Sequence, residues 1–325
     1  MELVDFLEAA RRIRPYMHHA PLIRSDFLSE QTGGGVWLKL ENQQPTGSFK
    51  VRGALNKLSQ LSDVEHARGI VAASAGNHAL GVAHAATSLG LPQVDIFVPE
   101  TAPDAKLKKL RRFPINLHLV GQTYEDAHQA AARFAAQTGA LEVAAYDDLD
   151  VIAGQGTVGV EIMTDLPSAD LILVPIGGGG LVSGVATAVR HINPAGKIVG
   201  VQPEASPAAQ LSFTQNQAID PYDHAPTIAD GLAGGFGVKP FELLRQNPPE
   251  IVLVSEAQIR QAIFALLSEQ QLVIEPSGAT AVAPLLTGAV DVRGKTAVCL
   301  LTGGNLDMNL LREIVNGDWR LAIKE

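Results

Sequence analysis

The chain has 325 residues, of which 46% are hydrophobic and 18% are charged, a length typical of about two domains. Its 34 acidic residues outnumber its 25 Lys and Arg residues, and the net charge of -9 disfavours binding to nucleic acid or to an anionic membrane. The single cysteine, Cys299, excludes an intrachain disulfide framework and is typical of a reducing compartment. There is no signal-peptide pattern and no apolar run of the roughly 20 residues that a membrane helix needs. The sequence therefore predicts a cytoplasmic protein that acts on a small molecule.

Short apolar segments alternate with segments of helical periodicity along most of the chain. Strands are predicted at residues 36–40, 70–73, 94–98, 115–120, 171–174, 198–201 and 297–301, and helices at 4–13, from 48, at 77–89, 103–112, 124–138, 158–165, 181–191, 256–269 and from 306. This alternation predicts an α/β protein whose parallel sheets are covered by helices on both faces. We interpret residues 106–112 as a solvated helix face, 147–150 as a turn and 213–237 as a long, functional loop.

Four consecutive glycines, residues 177–180, lie between a predicted strand and a predicted helix. Unhindered backbone N–H groups at a helix N-terminus form a binding site for phosphate. The alternative is a tight turn without a ligand, which rarely needs four consecutive glycines. A dinucleotide fingerprint would have glycine where Ser183 stands, and the Gly-Lys-Ser/Thr sequence of a nucleoside-triphosphate loop is absent. The sequence predicts a phosphate site and leaves its ligand open.

Three further segments place polar or reactive side chains where a predicted strand gives way to a helix. Lys50 stands at a helix start, where the helix dipole lowers the pKa of an amine and favours imine formation; the alternative is a solvated surface lysine. Residues 74–78 (Ser-Ala-Gly-Asn-His) offer donors for a carboxylate, or only cap a helix. Residues 302–305 (Thr-Gly-Gly-Asn) are the third segment. Open parallel sheets bind ligands at the carboxyl ends of their strands, which is where these segments lie.

Together these segments resemble those of the fold-type II pyridoxal 5'-phosphate (PLP) enzymes, and among them the threonine/serine dehydratase and serine racemase group. The motifs follow one another in the family's order over nearly the whole chain. The resemblance rests on residues 39–50 with Arg52-Gly53-Ala54, and on residues 74–78, 177–180, 275–279 (Glu-Pro-Ser-Gly-Ala) and 302–305.

The resemblance implies two open, mostly parallel twisted sheets with the cofactor between two domains. Residues 1–40 and 145–325 would form the large PLP-binding domain, and residues 41–144 a small inserted domain. The C-terminal regulatory domain of the biosynthetic threonine dehydratases is expected to be absent. A homo-oligomer, either a dimer or a tetramer, is also expected.

The family's residue roles carry over to matching positions of this chain. Lys50 would bind PLP as an imine and then serve as the base that removes the Cα proton. Asn77 would face the phenolic oxygen, and Thr302 the pyridine nitrogen, where a neutral hydroxyl weakens the electron sink and favours elimination. The implied cofactor-binding residues are Phe49, Lys50, Asn77, Gly177, Gly178, Gly179, Gly180, Leu181, Glu275 and Thr302, and the implied residues for the substrate carboxylate are Ser74, Ala75, Gly76, Asn77 and His78.

The implied reaction is the dehydrative deamination of a 3-hydroxy amino acid of the L-threonine or L-serine type to a 2-oxo acid and ammonia. A dehydratase for another 3-hydroxy amino acid, such as hydroxyaspartate or phenylserine, is an alternative, and so is a serine racemase. A β-replacement synthase and a PLP-binding module without turnover are more distant alternatives.

Three departures from the family's patterns narrow these alternatives. Racemases carry a serine where this chain has Ala75, so racemisation is not favoured. The acidic ligands of the family's divalent cation are replaced by Gln202 and Ala208, so we expect no metal site. The β-replacement synthases have Thr-Gly where His78 and Ala79 stand.

Overall fold

Two sheets with flanking helices make up the fold in this computed structural model, which describes residues 1–317. The strands are β1 (Leu22–Arg24), β2 (Gly35–Leu40), β3 (Ile70–Ala73), β4 (Val94–Val98), β5 (Asn116–Leu119), β6 (Leu141–Glu142), β7 (Leu171–Pro175), β8 (Lys197–Pro203), β9 (Glu250–Val254) and β10 (Thr296–Leu301). The helices are α1 (Leu3–Ile13), α2 (Asp26–Thr32), α3 (Lys50–Leu58), α4 (Asp63–Arg68), α5 (Asn77–Ser88), α6 (Asp104–Leu110), α7 (Tyr124–Thr138), α8 (Leu149–Asp165), α9 (Gly180–Ile192), α10 (Ala208–Gln215), α11 (Val238–Leu244), α12 (Glu256–Gln270), α13 (Pro276–Ala279), α14 (Ala283–Thr287) and α15 (Met308–Asn316). Within this described part, no helix is both long enough and apolar enough to cross a membrane.

The larger sheet has the strand order β1-β2-β10-β7-β8-β9. Strand β1 is antiparallel to β2, and the other pairs are parallel. At the centre, Val298 of β10 pairs with Trp37 of β2 on one side and with Ile172 of β7 on the other. Residues 297–301 are fully buried, as expected of a central parallel strand between two layers of helices.

The smaller sheet has the order β5-β4-β3-β6, and its pairs are all parallel. Every residue of β3 and β4 is buried. The two mostly parallel sheets confirm the predicted fold class. The strands of the smaller sheet lie between residues 70 and 142, inside the range 41–144 that the sequence assigns to an inserted domain. The domain boundaries themselves stay a prediction.

Helix α8 packs against α1, α3 and α9, and it begins nine residues before the predicted start at residue 158. The predicted turn at 147–150 is therefore wrong in its second half. Asp148 is the N-cap of α8, and its side chain accepts hydrogen bonds from the backbone N–H groups of residues 150 and 151. Aspartate is favoured both in turns and at helix N-caps, so the acidic segment alone did not distinguish the two.

Arg52, in the first turn of α3, is fully buried between two carboxylates. Its guanidinium donates to both carboxylate oxygens of Glu41, at 2.7 and 2.8 Å, and to both of Glu161 in α8, at 2.8 Å. The buried Lys39 ammonium pairs with Glu161 at 2.8 Å and with Asp165 at 3.2 Å. Burial alone would raise the pKa of Glu161, but the two cations hold it well below its usual range. These five residues form the buried ion network, which joins β2, α3 and α8.

Several elements of weak periodicity are not predicted from the sequence. The predicted loop at 213–237 begins later than expected, because residues 208–215 form α10. A short 3-10 helix at Asp230–Leu232 interrupts the remaining loop, and α11 and β9 follow it. Strand β9 is an edge strand in which Glu250 is exposed and residues 251–253 are only partly buried, so it lacks the continuous burial of the predicted strands.

Candidate active site

The segments that follow β2, β3, β6, β7 and β10 meet at the carboxyl ends of these strands. Lys50, after β2, contacts Ala145, which follows β6. Asn77, after β3, contacts Asn305, which follows β10. The glycine segment after β7 packs against Tyr146. The predicted candidate segments are therefore brought together at one place, as expected for the ligand site of an open parallel sheet.

Lys50 is the first residue of α3 and is partly buried. Its Nζ donates a hydrogen bond to the carbonyl oxygen of Ala145 at 2.8 Å and lies 5.3 Å from the centre of the Phe49 ring. Burial lowers the pKa of Lys50 to about 8, so the cause of the shift is burial, whereas the position at a helix start predicts the helix dipole. Such an amine is partly neutral near pH 7, as a nucleophile or a base must be.

Two backbone contacts fix the Lys50 segment against the segment after β10. The N–H of Phe49 donates to the carbonyl oxygen of Thr302 at 3.1 Å, and the N–H of Gly304 donates to that of Gly47 at 2.9 Å. Residue Thr302 is buried. These two hydrogen bonds hold Lys50 and Thr302 close together at the ends of β2 and β10.

The glycine segment, residues 177–180, has no room for side chains. A Cβ atom at Gly178 would lie 2.3 Å from the Tyr146 ring, and one at Gly179 would lie 2.4 Å from the Phe236 ring. Gly179 also has a φ of +93°, which L side chains rarely adopt. Because α9 begins inside this segment, its first N–H groups have no partner within the helix. This bare backbone at a helix N-terminus is suited to a phosphate group.

Residues 74–78 connect β3 to α5 and border open space. No atom lies within 4 Å of a Cβ built at Gly76. The Ser74 Oγ accepts a hydrogen bond from the N–H of Gly76 at 3.1 Å, which leaves the hydroxyl proton for another acceptor. Asn77 is the first residue of α5, so the free N–H groups of that helix begin here. The segment has the donors that a carboxylate requires.

The imidazole of His78 is engaged with the backbone of the fold. Its Nε2 lies 2.8 Å from the carbonyl oxygen of Val143, just after β6. Burial, together with the nearby charge of Lys50, lowers the pKa of His78 to about 4. The ring is therefore neutral and already hydrogen-bonded, and the group of His78 that is left for an anion is its backbone N–H.

Glu275, at the N-cap of α13, carries a carboxyl group that is partly protonated near neutral pH. Burial, with a smaller contribution from Asp230, raises its pKa to about 7. Its Oε1 accepts a hydrogen bond from the Asn77 Nδ2 at 2.6 Å. A Cβ at Gly303 would lie 2.1 Å from the same Oε1, so Glu275 also packs directly against the segment after β10.

Three residues that the sequence patterns do not assign to the site make contacts here. Ala145 acts through its carbonyl oxygen, which leaves no signal in the residue type. The Tyr146 ring covers the glycine segment, and its hydroxyl donates to Asp220 Oδ2 at 2.9 Å. Lys109 in α6 donates to Asn305 Oδ1 at 2.8 Å. The prediction of a solvated face at 106–112 is therefore wrong at Lys109, although the leucines of that helix are buried as expected.

The residues at the expected cation-ligand positions have different partners. The Gln202 side chain is buried, with its Nε2 donating to the carbonyl oxygen of Ser206 at 3.3 Å and its Oε1 accepting from the N–H of Gln210 at 3.1 Å. Ala208 begins α10 and has no polar side-chain atom. In residues 1–317, no group of three or more His, Cys, Asp or Glu side chains is arranged to hold a metal ion. The absence of a metal requirement stays a prediction.

Comparison with known proteins gives a consistent result. The family model described as pyridoxal-phosphate dependent enzyme matches residues 13–303. The L-threonine ammonia-lyase of Thermotoga maritima is 44% identical over 97% of this chain and 78% of its own length. The processed form of threonine deaminase isoform 2 from Solanum lycopersicum superposes with a TM-score of 0.91 at 32% identity, over 96% of this chain and 86% of the other. Maize serine racemase does so with a TM-score of 0.91 at 30% identity, over 97% and 96%. The chain belongs to the pyridoxal-phosphate-dependent enzymes, in the group of the threonine dehydratases and serine racemases.

Proposed function

We propose that this enzyme converts a 3-hydroxy amino acid of the L-threonine or L-serine type into a 2-oxo acid and ammonia by dehydrative deamination. The observation that carries the proposal is the Lys50 amine, with a pKa of about 8, at the place where the glycine segment, the 74–78 segment and Thr302 meet. The 44% identity to a protein named L-threonine ammonia-lyase supports the same substrate class.

The residues at this place fit the family's cofactor, PLP. The glycine segment with Leu181 would bind its phosphate. Lys50 would bind its aldehyde carbon, and Asn77 Nδ2 would donate a hydrogen bond to its phenolic oxygen. Thr302 would donate to the ring nitrogen, with Phe49 and Glu275 beside the ring. When bound, PLP supplies an electron-withdrawing ring that stabilises negative charge at the substrate Cα. The supporting observations are the steric exclusion of side chains at 177–180, the lowered pKa of the Lys50 amine and the burial of Thr302.

Lys50 also serves as the base when its Nζ is not bound to the cofactor. A neutral Nζ accepts the Cα proton of the substrate, and the Ala145 carbonyl oxygen, 2.8 Å away, stabilises the resulting ammonium form through a hydrogen bond. Burial of the amine keeps its neutral form accessible near neutral pH.

The substrate carboxylate would bind to the segment 74–78. Its donors are the Ser74 hydroxyl and the free backbone N–H groups at the start of α5, including those of Asn77 and His78. Ala75 supplies no acid or base on the opposite face of the substrate, so elimination is favoured over racemisation.

A substrate panel tests this proposal. The holoenzyme is incubated with L-threonine, L-serine, 3-hydroxyaspartate and phenylserine, with and without a chelator, and 2-oxo acid, ammonia and D-serine are quantified. We expect 2-oxo acid and ammonia in equal amounts from L-threonine or L-serine, without an effect of the chelator. Formation of D-serine as the main product, or of no 2-oxo acid from any member, would contradict the proposal, and strict dependence on magnesium would overturn the prediction of no metal.

The attachment of PLP to the apoenzyme should depend on pH through Lys50. Only the neutral amine attacks a carbonyl, so the rate should rise with pH and level off above about 8. At pH 7 the neutral fraction of Lys50 is about 300-fold that of a lysine with the usual pKa of 10.5. Stopped-flow absorbance at the imine band measures this rate, with an acetylated lysine amide as the control. A rate that keeps climbing to pH 10, like that of the free lysine derivative, would show that burial does not activate Lys50.

Gly178→Ala should weaken PLP binding without removing Lys50. The new Cβ would lie 2.3 Å from the Tyr146 ring, so the glycine segment or the ring must shift, which would disturb the backbone N–H groups proposed to bind the phosphate. We expect the dissociation constant to rise about 10- to 100-fold, because a hydrogen bond to a charged group contributes about 1.5–3 kcal/mol. Fluorescence titration of the apoenzyme measures it. Gly35→Ala, where the nearest atom is at 3.8 Å, is the matched control, and equal affinities of the two variants would exclude this role.

The cellular form of the enzyme follows from the same proposal. We propose a homo-oligomer, a dimer or a tetramer, that works in the cytoplasm, where a chain with a single buried cysteine needs no oxidising environment. Residues 41–144 would form the small domain inserted into the large domain of residues 1–40 and 145–325. Analytical ultracentrifugation of the holoenzyme tests the oligomer, and limited proteolysis tests the domain boundaries.

A further inference from the structure

A chain of four side chains runs from α6 through the start of α5 to the N-cap of α13. Lys109 Nζ donates to Asn305 Oδ1 at 2.8 Å. Asn305 Nδ2 donates to Asn77 Oδ1 at 2.7 Å, and also to the carbonyl oxygen of Thr46 at 2.9 Å. Asn77 Nδ2 in turn donates to Glu275 Oε1 at 2.6 Å. We call Lys109, Asn305, Asn77 and Glu275 the asparagine relay.

The direction of this relay is set at Asn305, which contacts the Lys109 ammonium through its oxygen and the Thr46 carbonyl through its nitrogen. A side-chain amide has nearly the same shape after its oxygen and nitrogen are exchanged, so packing alone does not orient it. An ammonium group has three donors and no acceptor, so Asn305 must present its oxygen to Lys109 and its nitrogen to Asn77. Asn77 must then present its oxygen to Asn305. Of the two hydrogens on its nitrogen, one is donated to Glu275 and the other is left for the site.

The other end of the relay does not fix this direction. Because burial raises the pKa of Glu275 to about 7, its carboxyl group either donates or accepts at neutral pH. The Thr46 carbonyl accepts only, and it favours the same orientation of Asn305. Burial lowers the pKa of Lys109, whereas the nearby charge of Glu275 raises it.

We propose that Lys109 is a positioning residue that turns the Asn77 amide so that its nitrogen, and not its oxygen, faces the phenolic oxygen of PLP. This inference rests on the proposed function, in which Asn77 donates to that oxygen. Lys109 itself touches neither cofactor nor substrate. An amide oxygen in the same place would repel the phenolic oxygen, which is itself an acceptor. Since α6 flanks the smaller sheet and Asn305 follows β10 of the larger sheet, the contact also joins the two sides of the site.

Variants of Lys109 and Asn305 separate orientation from simple charge. Lys109→Met removes the donor, Lys109→Arg keeps a group that only donates, and Asn305→Asp places an acceptor against Asn77 Oδ1. Lys108→Met is the matched control, because it removes the same charge from an exposed position of the same helix. The readouts are the PLP dissociation constant of the apoenzyme and the absorption spectrum of the bound cofactor, which reports the hydrogen bond to the phenolic oxygen.

We expect Lys109→Met and Asn305→Asp to raise the PLP dissociation constant about tenfold, the effect of one lost or reversed hydrogen bond, and to change the balance of the cofactor's absorption bands. Lys109→Arg and Lys108→Met should stay within about twofold of the wild type in affinity, with an unchanged spectrum. If Lys109→Met and Asn305→Asp both behave like Lys108→Met, the positioning role is wrong while the proposed function stands. If the wild type forms no imine band at all, the proposed function fails first.

Discussion

Lys50→Ala is expected to leave no absorption band that borohydride bleaches and to reduce 2-oxo acid release by about 10⁴-fold or more, the upper range for loss of a general base. The variant loses the amine that attaches PLP and the base that takes the Cα proton. Both functions depend on one atom, the Nζ that donates a hydrogen bond to the carbonyl oxygen of Ala145 at 2.8 Å. The absorption spectrum before and after borohydride, together with the release of 2-oxo acid, measures the two effects separately.

Lys57→Ala is the matched control for that variant. Lys57 lies on the same helix, but it pairs with Asp148 and Asp150, each at 2.9 Å, and its pKa is raised. We expect it to keep the band and the activity. A band that persists in Lys50→Ala, or one that is lost equally in Lys57→Ala, would place the imine on another lysine and would remove the central argument for the site.

The candidate site was largely predictable where its signals are local in the sequence. The helices that carry Lys50, Asn77 and the glycine segment begin within two residues of the predicted positions. This accuracy has a physical basis, because an apolar strand followed by a glycine-rich or polar turn leaves the chain few choices. The rule that ligands bind at the carboxyl ends of parallel strands then placed these separate segments together.

Contacts between distant segments could not be predicted in this way. Lys109 and Asn305 are 196 residues apart, and Asn77 and Asn305 are 228 apart. The periodicity of α6 reports only that Leu107 and Leu110 face the core, which the structure bears out, and it classes every lysine between them as solvated. The Ala145 carbonyl is likewise invisible, since every residue carries one. Sequence patterns therefore locate the proposed reactive groups, whereas the groups proposed to orient them become visible only in the structure.

The buried ion network is the place where one substitution should cost the most stability. Arg52→Leu should lower the free energy of unfolding by about 3–5 kcal/mol, because it leaves a buried carboxylate without its partner. The fully buried Glu41 carries most of this cost, since Arg52 donates the hydrogen bonds to both of its carboxylate oxygens, at 2.7 and 2.8 Å, whereas Glu161 keeps Lys39 at 2.8 Å. The same substitution would loosen the first turn of α3, and with it the Lys50 amine.

Urea denaturation of the holoenzyme measures this difference, with Arg24→Leu as the control. Arg24 pairs with Asp26 on the surface, so its loss should change the free energy of unfolding by less than about 1 kcal/mol.

The pH dependence of the free energy of unfolding gives a second check. Because the native pKa of Glu161 is depressed, the stability it contributes is present above its usual pKa of 4.5 and is lost as the pH falls through the native value. The gap between wild type and Arg52→Leu should therefore be widest near neutral pH and narrow below about pH 4.5. A gap that stays constant down to pH 3, or one no larger than that of Arg24→Leu, would mean that Arg52 stabilises the fold by packing and not by its charge.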